Sequence, residues 1–186
     1  MAELMSNYQD RYKNRPAAVL GGGPSLPADM SKLPQDCILI AVNYHYTVMS
    51  GNDPDFMVFN DHLAANPILK AYVEETKAVR VSPERNKEMS DVVFDVPVWT
   101  GFFSSNTAAW FGLWMGCDPV ILCGMDCYQG DVVYCHDSDR DSPAFHYPLD
   151  HYLQPWIEDG KNLLPHVERL KAMSGPLTDI FGAYEP

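Results

Sequence analysis

"AAVLGGGPSL", residues 17–26, sets a short apolar run directly against three glycines and closes on Pro24, Ser25 and Leu26. A run that is apolar at every position suits a parallel strand covered on both faces. A glycine-rich turn behind such a strand is where α/β proteins often hold a phosphate, since backbone N–H groups can approach an anion where no Cβ intervenes. The turn is not a Walker A loop, for it lacks the Gly-Lys-Ser/Thr ending. It is also an incomplete dinucleotide fingerprint, with Leu26 in the third glycine's place. On its residues alone it is either a phosphate cradle or a plain tight turn.

Outward from this stretch, similar runs recur at α/β spacing: "CILIAV" at 37–42, "DFMVFN" at 55–60, "KAVRVS" at 77–82 and "DPVILCG" at 118–124, with "VVFDVPV" at 92–98 adding a short strand. Helical stretches lie between and after them. The stretch 62–76 starts late or kinks at Pro67, and 104–116 opens on Ser and Asn and ends at Gly116. A shorter helix is predicted over 163–173, with Pro165 near its first turn. The 104–116 helix is apolar almost all round, so it is predicted to lie buried on the sheet, with Trp110 and Trp114 in the core. The fold class that follows is α/β: a single Rossmann-like three-layer domain over 1–186 with a mostly parallel sheet. Residues 128–160 have no long periodic run and exceed the usual connection length, which predicts an irregular C-terminal lid-like segment.

Composition narrows the function. The 186 residues are 46% hydrophobic and 20% charged, with a formal net charge of −12, as in a folded globular protein. No basic patch offers a footprint for nucleic acid, so an anionic ligand must be held locally by backbone N–H groups and a few side chains. No apolar run reaches the length of a membrane span, and the polar N-terminus lacks the apolar centre of a signal peptide, which predicts a cytoplasmic protein. Cys37, Cys117, Cys123, Cys127 and Cys135 are odd in number and form no Cys-x-x-Cys pair, so they read as structural thiols, without a disulfide framework or a metal site.

Open α/β sheets bind ligands beyond the C-terminal ends of their strands. The residues there are Gly21, Gly22, Gly23 and Ser25 after the first run, Asn43 to His45 after the second, and Asn60 to His62 after the third. Ser104 opens the buried helix, and Gly124, Asp126 and Tyr128 follow the last clear strand. Asn43 can bond a base or ribose, or cap its strand. Asp126 can bind a ribose hydroxyl, coordinate a divalent ion or cap its turn; the absence of a neighbouring Asp-x-Asp favours metal-independent binding. A general base for a sugar hydroxyl is sought among His136, His146, His151 and His166, and His146 and His151 are preferred because they lie in the lid-like segment.

The combination "GGGPSL … AVNYHY … SSNTAAWFGLWMG … VILCGMDCYQGDVVY" resembles the bacterial sialyltransferases that extend lipooligosaccharide, and the related hydroxymethylpterin pyrophosphokinase-like proteins. The likeness covers roughly residues 17–134. It implies a glycosyltransferase-like enzyme whose donor is a nucleotide-activated sugar, CMP-linked, with sialic acid or a related sugar transferred to a hydroxyl acceptor and no further cofactor or metal. Carried onto this chain, the resemblance puts Gly22, Gly23 and Ser25 at the nucleotide phosphate, Asn43 beside the nucleotide, Ser104 near the donor sugar or its carboxylate, and Asp126 at the ribose or base. Tyr128 and Tyr134 match two tyrosines that hydrogen-bond the departing phosphate, and the base falls to His146 or His151. The chain departs from the family pattern at Gly22, where the family has Asn, and at "WTGFF", where an Arg precedes the Ser-led helix.

Two other functions stay open at this level. One is a Mg-dependent pyrophosphokinase acting on a pterin-like alcohol, with Asp61 and Asp126 as carboxylates; the other is a non-catalytic nucleotide-binding protein. The partner in each is a nucleotide-containing small molecule rather than nucleic acid. The Trp-rich apolar helix and aromatic tail predict a homo-oligomer.

Overall fold

A computed structural model describes residues 2–95, 103–127, 132, 134–136 and 153–185. Ala17–Leu20, strand β2 (β1 is Glu3–Leu4), is buried at all four positions. It is buried because it pairs in parallel on both sides, with Ile38–Val42 (β3) and with Val120–Cys123 (β7). Phe56–Val58 (β4), Val79–Ser82 (β5) and Val92–Val93 (β6) extend the sheet beyond β3, with β1 at that edge, and Leu170–Ala172 (β8) flanks β7. The eight strands are all parallel, in the order β1-β6-β5-β4-β3-β2-β7-β8.

Successive strand residues face opposite sides. Ala17, Val19, Ile38, Ile40 and Val42 pack on Ser104–Trp114 (α4). Ala18, Leu20, Ala41, Ile121 and Cys123 pack on Leu26–Met30 (α1) and His45–Ser50 (α2), while Met57 and Phe59 meet Pro67–Glu75 (α3). Leu153–Asp159 (α5) and Thr178–Phe181 (α6) join the α4 side, where Trp156 meets Phe181 edge to face. Helices therefore cover both faces, as the continuous apolar strands predict.

Several elements differ from the sequence expectations. The predicted helix over 163–173 is a 3-10 turn at Lys161–His166 followed by β8. Pro165 takes one N–H out of that segment, and the Leu170–Ala172 backbone pairs with β7 instead. The predicted lid-like span ends in a regular helix, α5; residues 128–131, 133 and 137–152 lie outside the described residues, and so do 96–98 of the run after β5. The α3 start is as expected: Asn66 Oδ1 accepts from the Leu69 N–H at 3.0 Å, with Pro67 behind it. α4 begins at Ser104, yet its N-cap is Phe103 and no side chain caps it.

α4 is covered within the chain. Ala108, Ala109, Phe111 and Leu113 are buried, the Trp114 indole donates to the Met5 carbonyl at 3.0 Å, and the Trp156 indole donates to Ser105 Oγ at 2.9 Å. Residues 5 and 156 of the same chain thus cover part of the helix from which a homo-oligomer is argued. Cys37, Cys117, Cys123 and Cys127 are free thiols, and burial pushes Cys37 and Cys127 up to about 12 and Cys117 up to about 11, as inert packing groups. Among the described residues no helix is long and apolar enough to cross a membrane.

The strand order places the site. From β2 the chain proceeds to β3 on one side, and it later crosses back through α4 to β7 on the other. The order reverses at β2 and β7, and open α/β sheets bind ligands in the crevice beyond the C-terminal strand ends at such a point. There the glycine turn meets the segment after β7. A Cβ at Gly21 would stand 2.5 Å from the Gly124 carbonyl oxygen, and one at Gly23 would stand 2.7 Å from the same atom. The turn is glycine because two backbones pass this closely. Gly21→Ala is expected to lower the unfolding free energy by about 1–3 kcal/mol, read from the urea midpoint at unchanged slope.

Candidate functional site

The glycine turn spends much of its hydrogen bonding on the neighbouring strand. Gly21 N–H donates to the Cys123 carbonyl and Gly23 N–H to the Gly124 carbonyl, each at 2.8 Å. Ser25 N–H donates to Asp126 Oδ2 at 3.0 Å, and Ser25 Oγ lies 2.9 Å from the same oxygen. Gly23 leaves no room for a side chain here, since its Cβ would fall 2.0 Å from Asp126 Oδ2. The predicted site residues Gly21, Gly23, Ser25 and Asp126 are therefore brought together, Gly21 and Gly23 through bonds to Cys123 and Gly124 and Ser25 through bonds to Asp126.

A residue not singled out from the sequence holds this corner. Asp29, in the first turn of α1, is only 1% exposed, and its Oδ2 accepts from Gly124 N–H at 2.9 Å and from Ser174 Oγ at 2.9 Å. Ser25 Oγ approaches it at 3.1 Å. One hydroxyl carries one proton, so Ser25 donates to Asp126 or to Asp29 at any instant. The sequence signal, an Asp one helical turn after the Pro-Ser-Leu entry, was available; the partner after β8 was not.

Beyond β3, Asn43 sits in the left-handed region at φ 55°, and its N–H donates to the Val58 carbonyl at 3.0 Å. Asn tolerates that conformation well. Its Oδ1 and the Thr47 hydroxyl one turn later are buried with no hydrogen-bond partner. Cys127 also has a positive φ, 50°, where a Cβ is strained, so the segment after β7 leaves the strand through an unusual backbone bend. Beyond β4, Asn60 N–H donates to Ser104 Oγ at 3.1 Å, and its Nδ2 donates to Thr107 Oγ1 at 2.7 Å. This places Ser104 beyond β4, with its own O–H left to donate. Arg85, after β5, donates to the Asn60 carbonyl and brings a guanidinium to this end of the rim.

An aromatic stack crosses the opening. Tyr72 stacks on Tyr44 with centroids 4.8 Å apart, Tyr44 lies 4.7 Å from His45, and His45 stacks on Tyr134 at 4.4 Å. His136 stacks on Tyr134 at 5.7 Å, and His45 Nδ1 is 3.0 Å from His136 Nε2, so one ring nitrogen donates and the other accepts. Cys135 N–H donates to the Gly22 carbonyl at 2.8 Å, which seats residues 134–136 on the glycine turn. Tyr134 and Gly22 thus meet; Tyr128, His146 and His151 lie outside the described residues. Among the described residues no group of His, Cys, Asp and Glu is arranged to hold a metal ion.

No protein-family model matches the chain, and no curated protein matches it in sequence. Solved structures do. A sialyltransferase, CstII from Campylobacter jejuni, in complex with the substrate analogue CMP-3FNeuAc, is 16% identical, with 92% of this chain and 87% of that chain covered and a TM-score of 0.66. CstII in complex with a trisaccharide acceptor and CMP is 16% identical over 92% and 86% of the two chains, TM-score 0.64. The monofunctional α-2,3-sialyltransferase Cst-I from the same organism is 17% identical over 91% and 80%, TM-score 0.64. At these identities the likeness is one of fold. It carries the sialyltransferase side of the resemblance and does not bear on the pterin pyrophosphokinase side.

His45 gives this rim a pH response. Burial, and then the neighbouring His136, push its pKa down from 6.5 to about 3. Between those values the unfolded chain binds a proton at His45 that the folded chain does not, so stability falls as pH drops below about 6.5, by up to about 1.4 kcal/mol per pH unit. Urea unfolding at pH 7 and pH 5 is expected to differ by about 2 kcal/mol from this group. His45→Phe, which keeps a ring in the stack, should remove that difference; an unchanged pH slope in the variant would assign it elsewhere.

Proposed function

We propose that this chain is a glycosyltransferase that binds a cytidine-monophosphate-linked sugar across the β2–β7 crevice and passes the sugar to a hydroxyl acceptor. The observation that carries the reading is the fold, shared over most of the chain with sialyltransferases solved with CMP or a CMP-sugar analogue. The rim adds support, since the glycine turn, with residues 134–136 seated on it, follows β2 where the strand order reverses, and Asn43 and Ser104 lie beyond the neighbouring β3 and β4.

On this reading the nucleotide phosphate lies against Gly22 and Ser25, with Gly21 and Gly23 fixing the turn to the β7 segment and Asp126 anchoring Ser25. Asn43 offers its buried, unpartnered Oδ1 to an N–H or O–H of the nucleoside. Ser104 donates to the sugar or its carboxylate, the part of the donor that defines sialic acid. Residues 1–186 act as one domain, and the 128–160 segment supplies the base, His146 or His151. The base takes the acceptor hydroxyl proton, and the acceptor oxygen forms its bond to the anomeric carbon. The bond from that carbon to the phosphate oxygen breaks, and its electron pair stays on the phosphate. Tyr128 and Tyr134 donate hydrogen bonds to that oxygen as its charge grows, a neutral form of electrostatic stabilisation. No step calls for a metal ion.

Calorimetry with CMP, UMP, GDP and ADP, each with and without EDTA, tests the donor. CMP is expected to bind best and to be indifferent to EDTA; a folded chain that binds none of the four at about 1 mM overturns the proposal. Replacing Tyr128 and Tyr134 together by Phe should lower turnover of a CMP-sugar by roughly 10²-fold or more while CMP affinity holds within about threefold. Equal turnover in the variant and the parent would remove the tyrosines from the reaction.

A further inference from the structure

At the head of α2, His45 is buried, and its Nδ1 lies 3.0 Å from Nε2 of the half-buried His136. A neutral imidazole carries one N–H, so one ring of the pair donates in this bond and the other accepts. The pair sits on the glycine turn. A Cβ at Gly22 would stand 2.7 Å from Cγ and 2.8 Å from Cδ2 of His45, and the Cys135 N–H, next to His136 in the chain, donates to the Gly22 carbonyl. Tyr44 and Tyr134 pack on the His45 ring, with centroids 4.7 and 4.4 Å away, and Tyr72 of α3 stands behind Tyr44. Along the turn, the Asp126 carboxylate lies against Gly23, where it is bonded to Ser25. Burial, and then His136, keep the His45 imidazole neutral, with a pKa of about 3, and among the described residues no lysine or arginine acts on it.

We propose that the His45–His136 pair takes up one proton when a phosphate monoester binds at the glycine turn, a role that rests on the phosphate seat proposed at Gly22, and so supplies positive charge to this corner. A phosphate dianion favours the charged form of a neighbouring imidazole, most strongly where burial limits screening. The proton adds to the far nitrogen of the donating ring, so the N–H···N bond is kept and becomes charge-assisted. The Tyr44 and Tyr134 rings attract a cation held within about 6 Å of their centroids, as His45 is. In sugar transfer the donor's phosphate is a diester with a single charge. It becomes a monoester of nearly two charges when it leaves with the electron pair of the broken bond. The pair is neutral beside the first and charged beside the second, and therefore binds the departing nucleotide better than the donor. The proton comes from solvent through His136 and returns there when the nucleotide leaves; an N–H bond is the only bond made or broken at the pair.

Calorimetry of the full chain with CMP at pH 7.5, in phosphate-free buffers of different ionisation heat, counts the protons; at that pH CMP is already close to a dianion and adds little of its own. About half a proton or more is expected to be taken up per CMP bound, and the affinity is expected to fall about threefold or more from pH 7 to pH 8. On the ¹⁵N-labelled chain, CMP should move ring nitrogen resonances of the pair toward imidazolium positions. His45→Phe and His136→Phe each keep a ring in the stack, and each should at least halve the uptake and weaken CMP several-fold at pH 7. Should a Phe variant fail to fold, His136→Gln, at the half-buried member, carries the same expectation. CMP bound with no proton uptake and equal affinity at the two pH values overturns the proposal and leaves the nucleotide reading in place. Uptake at the parent's level in a folded variant assigns the proton to another group and overturns it too. A folded chain that binds no CMP at either pH removes the nucleotide reading and, with it, this role of the pair.

Discussion

The carboxylate of Asp29 is the constraint around which the rim is built. It is buried in the first turn of α1, yet one of its oxygens receives hydrogen bonds from the backbone after β7 and from the hydroxyl after β8, and it lies within reach of Ser25 in the glycine turn. Three strand ends that are distant in sequence are thereby tied to one atom. A buried carboxylate without such donors would cost several kcal/mol, so the donors and the acid depend on one another. Asp126 repeats the device one layer out, accepting from both the backbone and the side chain of Ser25. Together the two acids hold β2 and β7 at a separation that only glycine at 21 and 23 permits.

This arrangement gives the glycine turn a different emphasis from the one its sequence suggests. Glycine-rich turns are valued for amides that face an anion, but here the Gly21 and Gly23 amides face the β7 segment. The glycines serve first as a close-packing seam. Gly22, between them, is the one whose surroundings are side chains, His45 and Tyr134, rather than backbone. The rim is thus divided into a rigid seam and an aromatic wall, and the open hydrogen-bonding atoms, at Asn43 and Thr47, lie on the wall side.

Much of the fold was legible because it rests on local patterns. The apolar runs at 17–20, 38–42, 56–58, 79–82 and 120–123 are strands because each is short, apolar and closed by a turn residue. Asn66-Pro67 announces α3 by its own chemistry. What escaped is non-local. Residues 170–172 form a strand because β7 offers an unpaired edge, a fact about another segment, and the helical reading of 163–173 had no means of weighing it. The short helices α1 and α2 are held by packing on the sheet rather than by periodicity. At the site, the strand-end residues were found by position, while Asp29, Ser174 and the pairing of His45 with His136 arise from contacts across more than ninety residues of chain.

The seat of Gly22 carries an evolutionary consequence. In the family the chain resembles, the corresponding turn carries Asn, and here even a methyl group at 22 would lie 2.7 Å from Cγ of His45 and 3.0 Å from Cδ1 of Tyr134. The two rings occupy the volume an Asn side chain would need. Positions 22 and 45 are therefore not independent: a lineage exchanging Gly for Asn at 22 must first shrink or displace the ring at 45, and one acquiring His at 45 must already have glycine at 22. The order of substitutions is constrained even though each residue alone is acceptable to the backbone. Among homologues this pair should vary together, and a chimera that grafts the Asn turn onto this chain without changing residue 45 joins two incompatible halves of one solution.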